Sequence, residues 1–336
     1  MRKVSKRSRI IDRVFQVTTG LCAGSPLLFL GAIAIMVVFE SIPSIRYMGW
    51  HFITGIAWNM GNMYGSMITK NGVSAPAGAS YGALPFIVGT VGSSVIALII
   101  AVPISVMAAL ILSYRVRGVL GSILSILVEL LAGIPSVIFG LWGILVLAPW
   151  VGTSFGPWLT TLGTVVPFLR GPVGTGLGLL SSGMVLALMI IPIITATTRD
   201  LLLQVPILIR EGGIGLGMTD WEVVRHICLP YVKDGLVGAV ALGWGRAMGE
   251  TMAVLMVSGS ALNYLPHNIY SPISTMAAVI ADQLDTAFND ASKMAIHALS
   301  ELALVLLVLT LMTNLVARWL VSRSSSNRKM GAGVNA

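Results

Sequence analysis

The chain has 336 residues, of which 56% are hydrophobic and 10% charged, whereas an ordinary soluble domain carries roughly a quarter charged residues. That balance excludes a soluble globular protein. The net charge of +8 points first to nucleic acid, but its distribution along the chain assigns it to membrane orientation instead.

A helix crosses the hydrocarbon core of a bilayer with about 20 mostly apolar residues, and six stretches have that character. A basic cytoplasmic segment, 1–20, precedes the first predicted span, 21–39. Its basic flank resembles a secretory signal, but the length of the apolar run and its continuation to Glu40 favour a retained anchor. Residues 41–88, rich in Gly, Ser, Asn and Met without a regular period, read as an external loop with short interfacial elements around Trp50 and Trp58. The second span is 89–112. The third, 119–148, is longer than a minimal span and is interrupted by Gly133-Ile134-Pro135, which predicts a tilted or kinked helix. An external Gly- and Pro-containing stretch, 149–176, predicts a short re-entrant or interfacial helix. The fourth span is 177–197, the fifth 235–257 and the sixth 295–317, and the small polar residues of 321–336 predict a disordered tail. No repeat of 20 to 50 residues is evident.

With the amino terminus inside, sixteen of the 21 Lys and Arg residues fall in cytoplasmic segments. Outside stand Arg46, Lys70, Arg170 and Lys293, and Arg246 lies within a span. This is the positive-inside pattern, with both termini cytoplasmic and some attraction to anionic lipid, so membrane lipid is an expected partner and nucleic acid is not. Cys22 in a span and Cys228 in a cytoplasmic loop predict neither a disulfide framework nor a metal site. The histidines at 51, 226, 267 and 297 have no ligand spacing.

The cytoplasmic segment 198–230 is too long for a simple turn. Thr219 and Glu222 stand at capping-box spacing, so a helix is predicted to start at Thr219 or Asp220, and Pro230 to end it. Upstream, 199–210 predicts a second short helix distorted by Pro206, with Gly212, Gly213, Gly215 and Gly217 as a flexible break. The result is a projecting knob suited to a groove on a soluble partner.

Glu211-Gly212-Gly213, then Gly217, then Ile227-Cys228-Leu229-Pro230 resembles the EAA loop of ABC importer permeases, E-A-A-x3-G-x9-I-x-L-P. Both alanines are replaced by glycine, which predicts a looser turn. The resemblance implies a six-helix, all-α integral membrane fold of the type I importer permease (MetI-like) kind. It also implies that Glu211, Gly217, Thr219, Asp220, Glu222, Ile227, Leu229 and Pro230 couple the chain to an ATPase subunit. Tyr81-Gly82-Ala83-Leu84-Pro85-Phe86, Glu129-Leu130-Leu131-Ala132-Gly133-Ile134-Pro135-Ser136 and Gly245-Arg246-Ala247-Met248-Gly249-Glu250-Thr251 are similar to the PstC-type branch that serves phosphate import. That branch implies a homologous second permease (PstA-type), two ATPase subunits (PstB-type) and an external phosphate-binding protein (PstS-type). No cofactor is expected on this chain, with ATP and Mg held by the ATPase.

Arg246 and Glu250 are spaced by one helical turn inside an apolar run, where a charge costs about 2.5–3.5 kcal/mol and faces a bundle interior, a partner or water. Arginine's planar fork suits an oxyanion. Two readings stand side by side. Either Arg246, with Glu250, Thr251 and Glu129, lines a solute pathway, or Arg246 and Glu250 form a structural ion pair beside a Gly245/Gly249 face made for close helix contact. Glu301 near His297 reads as a helix-to-helix polar contact. A permease for another oxyanion or organic solute, or an ion-coupled secondary transporter, are the transport alternatives. A signalling or structural membrane subunit is a further one. A membrane-embedded enzyme is disfavoured, since the sequence has no G-x-S-x-G, no H-E-x-x-H and no phosphate-binding G-x4-G-K-[ST].

Overall fold

A computed structural model describes residues 6–62, 65–116, 118–164 and 166–332. Residues 1–5 of the basic segment, Arg117 and residues 333–336 of the tail lie outside the described residues.

The first helix, α1 (Lys6–Met48), is much longer than its predicted span. Pro26 and Pro43 lie inside it, and a helix in lipid tolerates proline where other groups take up the freed backbone, as the Ser25 hydroxyl does by donating to the Cys22 carbonyl four residues before Pro26 (3.1 Å). It therefore takes over the start of the expected external loop. The rest of that loop is ordered: α2 (His51–Thr54) is followed by β1 (Trp58–Asn59), β2 (Met67–Lys70), β3 (Val73–Pro76) and β4 (Ser80–Tyr81). β2 and β3 form an antiparallel hairpin in which Lys70 faces Val73, and β1 pairs with β4. The hairpin turns at Asn71-Gly72, with φ of 53° and 79°, the left-handed pair that a two-residue turn requires. Beneath it, Trp58 meets Tyr81 and Phe86 edge-on at 5.2 Å and Phe52 at 6.4 Å. Burial pushes the Tyr81 phenol well above its ordinary pKa, with the Asp290 carboxylate and Tyr47 adding to the rise, so it stays neutral.

Pro85 lies in the first turn of α3 (Leu84–Leu110), where its missing N–H is not needed, and α3 ends in a π turn over Ile111–Arg115. The predicted third span divides. α4 (Gly118–Ala132) stops before Gly133–Ile134–Pro135, and α5 (Ser136–Trp142) starts after it. A proline offers no donor and disfavours helical geometry at the residue before it, so the run breaks rather than tilts. From α5 the helix continues through a π turn (Gly143–Leu147), α6 (Ala148–Trp150), a second π turn (Val151–Phe155) and α7 (Gly156–Thr161). Helix thus occupies much of the expected external stretch 149–176.

α8 (Leu179–Leu203) is followed by α9 (Ile207–Gly215), α10 (Asp220–Val223), α11 (Leu229–Met248), α12 (Met252–Val257), α13 (Met276–Phe288) and α14 (Met294–Ala332). α14 covers most of the tail predicted to be disordered. Among the described residues six helical runs are long and apolar enough to cross a membrane: Asp12–Met48, Leu84–Arg115, Ser136–Thr161, Leu179–Leu203, Asp220–Met248 and Met294–Trp319. α8 is the centre, with 72% of its most apolar window buried against 0% for the first run. It packs against α3, α4 and α11, while α1 lies along α14. On that outer seam His297 Nδ1 lies 2.9 Å from the Glu40 carbonyl and 3.2 Å from its carboxylate. Glu301, one turn further along α14, is 5% exposed, and the polar contact that joins this pair of helices is made by His297.

Candidate coupling elbow and pathway residues

After α8, Gln204–Pro206 turn the chain into α9, which contains Glu211, Gly212, Gly213 and Gly215 as helical residues. The expected flexible glycine break is therefore confined to the few residues after α9. Its closure has two hydrogen bonds, Gly217 N–H to the Ile214 carbonyl (2.9 Å) and Met218 N–H to the Gly213 carbonyl (3.2 Å). These are the crossed bonds of a Schellman end, and Gly217, at φ +85°, supplies the left-handed residue the motif needs. Gly213 has a different reason. A Cβ there would come 2.6 Å from Ile227 Cδ1 and 3.1 Å from Val223 Cγ2, so its bareness lets α9 pack on the following helix.

Thr219 then caps α10. Its hydroxyl accepts from Glu222 N–H at 3.4 Å, and its own N–H donates to Glu222 Oε2 at 2.8 Å, which is the predicted capping box. Pro230 does not end the helix. A π turn over Val224–Cys228, closed by Leu229 N–H on the Val224 carbonyl, precedes it, and the helix runs on as α11. In an α-helix the proline ring would meet the carbonyl four residues back, and the wider π turn relieves that contact. The same arrangement recurs at Pro149 after Gly143–Leu147 and at Pro157 after Val151–Phe155.

The motif residues divide by environment. Ile227 and Leu229 are half-buried and pack on the cluster formed by Ala109, Leu110, Leu202, Val223, Cys228 and Val232, which fixes the elbow to the ends of α3 and α8. Glu211, Gly217, Thr219, Asp220, Glu222 and Pro230 are exposed. Around them Leu208 (76%), Leu216 (83%) and Trp221 (55%) present large apolar surfaces that nothing among the described residues covers.

Arg246 lies in the last turn of α11, not in mid-span, because the helix stops at Met248. A cation is favourable at that end of a helix. The helix break prevents the expected Arg246–Glu250 pair. Glu250 Oε1 instead accepts from Ala253 N–H at 3.3 Å, at the start of α12, while Thr251 Oγ1 donates to the Gly249 carbonyl at 3.4 Å. Arg246 is exposed, and no carboxylate pairs with it among the described residues. One side of α11 is anchored: Trp244 Nε1 donates to Ser94 Oγ on α3 at 3.1 Å, and Gly243 sits against Ile194 on α8. The other is open. A Cβ at Gly238 or Gly245 would meet nothing within 4 Å, and Leu242 is 60% exposed. The close helix contact expected at Gly245 and Gly249 is thus not made among the described residues. Glu129 is exposed on α4, and among the described residues no hydrogen bond or ion pair joins it to Arg246 or Glu250.

Cys22 is exposed and Cys228 buried, both as free thiols. Among the described residues no three His, Cys, Asp or Glu side chains come together as a metal site.

A bundle of membrane-length helices with an uncovered elbow and a charged residue on an open helix face defines a multi-pass membrane protein. A family model described as "binding-protein-dependent transport system inner membrane component" matches residues 101–326. The chain is 50% identical over 309 residues to a protein of Mycobacterium tuberculosis named phosphate transport system permease protein PstC 1, covering 91% of each. It is 36% identical to the protein named PstC of Mesorhizobium japonicum, over 95% of this chain and 92% of that one. A chain of the inward-facing MetNI methionine ABC transporter is 17% identical, with a TM-score of 0.49 over 72% of this chain and 94% of that one. The protein belongs to the family of binding-protein-dependent transport system inner membrane components, and is a transport subunit, not an enzyme.

Proposed function

We propose that this chain is the PstC-type permease of an ATP-driven importer that carries inorganic phosphate across the bacterial plasma membrane. The names of its relatives support the solute, and the exposed elbow supports the energy source. ATP and Mg are held by two PstB-type ATPase subunits, one of which receives Leu208 and Leu216 of this elbow. A PstA-type permease covers the open side of α11, and a PstS-type protein delivers phosphate from outside. Both termini are cytoplasmic, which the distribution of basic residues supports.

The observation that carries this reading is the exposed Arg246 guanidinium on the bare glycine side of α11. An unpaired charge in a membrane bundle needs water, a partner or a substrate, and a guanidinium offers two parallel donors to a phosphate. Glu250, held by the α12 backbone, sets the carboxylate limit on how tightly the anion is retained. Thr251 and Glu129 complete the pathway residues. Arg246→Gln should lower phosphate uptake about ten- to a hundred-fold, the factor for losing a hydrogen bond to a charged group, with ATPase co-purification unchanged. Uptake at the parental rate would remove Arg246 from the pathway.

A further inference from the structure

Beside the elbow a cleft of about 490 Å³ opens between the end of α3 and helices α9 and α10. Arg115 and Arg210 stand on its wall, and Asp220 is the one carboxylate lining it, so the wall carries one net positive charge. Neither arginine is paired with a carboxylate among the described residues. Arg210 lies over the Tyr114 ring, its Cζ 4.1 Å from the centroid, and Tyr114 is itself fixed by a 3.1 Å hydrogen bond from its hydroxyl to the Leu202 carbonyl. A ring holds a guanidinium by its charge and accepts no strong hydrogen bond from it, so N–H groups are left for an anion.

The rest of the cleft is greasy. Met107 and Ile111, 52% and 48% exposed, line it from the final part of a membrane-length run that ends at Arg115. Trp221, 55% exposed, stands on the elbow side and has the amphipathic ring that belongs at headgroup level. The cleft therefore joins an apolar strip facing lipid to two guanidiniums at the polar boundary. A free phosphate would leave the strip uncovered. A neutral lipid would leave one positive charge unanswered.

We infer that this cleft binds an anionic phospholipid from the leaflet on the elbow's side, with its phosphate against Arg115 and Arg210 and an acyl chain along Met107 and Ile111. The lipid bridges α3 to α9 and α10, so leaflet composition acts on the part of the chain that moves with its soluble partner. This assignment is independent of which solute is carried.

The test is native mass spectrometry of the full chain with its co-expressed partners, titrated with phosphatidylglycerol and, separately, with phosphatidylcholine. The unmodified complex should retain phosphatidylglycerol preferentially. Arg115→Gln and Arg210→Gln should each weaken retention about five-fold, and together about thirty-fold, as expected for two basic groups near an anionic surface. Phosphatidylcholine binding should not change. Equal retention of the two lipids by the unmodified complex would overturn the inference without any variant having to fold. So would phosphatidylglycerol binding to the isolated chain that disappears on assembly, which would assign the cleft to the ATPase.

Discussion

Gly217 and Thr219 set the angle of the elbow within three residues, one by backbone conformation and the other by a hydrogen bond. Any side chain at φ +85° costs roughly 1–2 kcal/mol, and a β-branched one more. Gly217→Val should therefore reduce ATPase co-purification sharply, whereas Thr219→Val, which loses only a cap of about 1 kcal/mol, should reduce it mildly. A pull-down at matched membrane expression ranks the two, and the reverse order would contradict the assignment. The capping box was legible because its partners are three residues apart in one local motif. The fate of Arg246 and Glu250 was not. Their spacing implies a pair only if one helix holds both, and that helix ends at Met248 between them. Near Glu301 it is His297 that makes the polar contact to α1, and α14 stays helical across both.

At the scale of elements, lipid made six apolar runs visible by imposing a minimum length. Their ends were harder to read, because proline stops a helix in one setting and not in another. Pro135 breaks the third run, while Pro149, Pro157 and Pro230 each follow a π turn and leave their helix intact. The prolines were visible in the sequence, and what went unread was the π turn ahead of three of them. The hairpin was missed because strands of four residues carry too little alternation, although Asn71-Gly72 marked its turn. Pro230→Ala gives this region back an N–H and lets the π turn relax to α geometry. That removes one residue of bulge and rotates α11 by about 100° relative to the elbow. Arg246 would leave the open side. Circular dichroism should be unchanged while phosphate uptake falls several-fold, and unchanged uptake would show that the register of α11 is not set there. At the α8–α11 contact, Gly243→Leu would drive a side chain into Ile194, which already lies 2.8 Å from a Cβ at that position. Overpacking of that kind costs about 1–3 kcal/mol, and should lower the amount of folded protein extracted from membranes.

The whole molecule is unfinished as a single chain. α8 is enclosed, but the elbow's Leu216 and Trp221 and the Gly238–Leu242–Gly245 side of α11 are bare. A rigid elbow tied to α3 and α8 by one cluster and continuous with α11 through the π turn turns any push on it into motion of the helix that carries Arg246. The direct test is ATP hydrolysis by the assembled transporter in lipid vesicles, with its external binding protein loaded with phosphate or with sulfate. Phosphate should stimulate hydrolysis several-fold with the unmodified chain, sulfate should not, and Gly217→Val should abolish the response. Equal stimulation by both anions, or a full response from the Gly217 variant, would contradict the account.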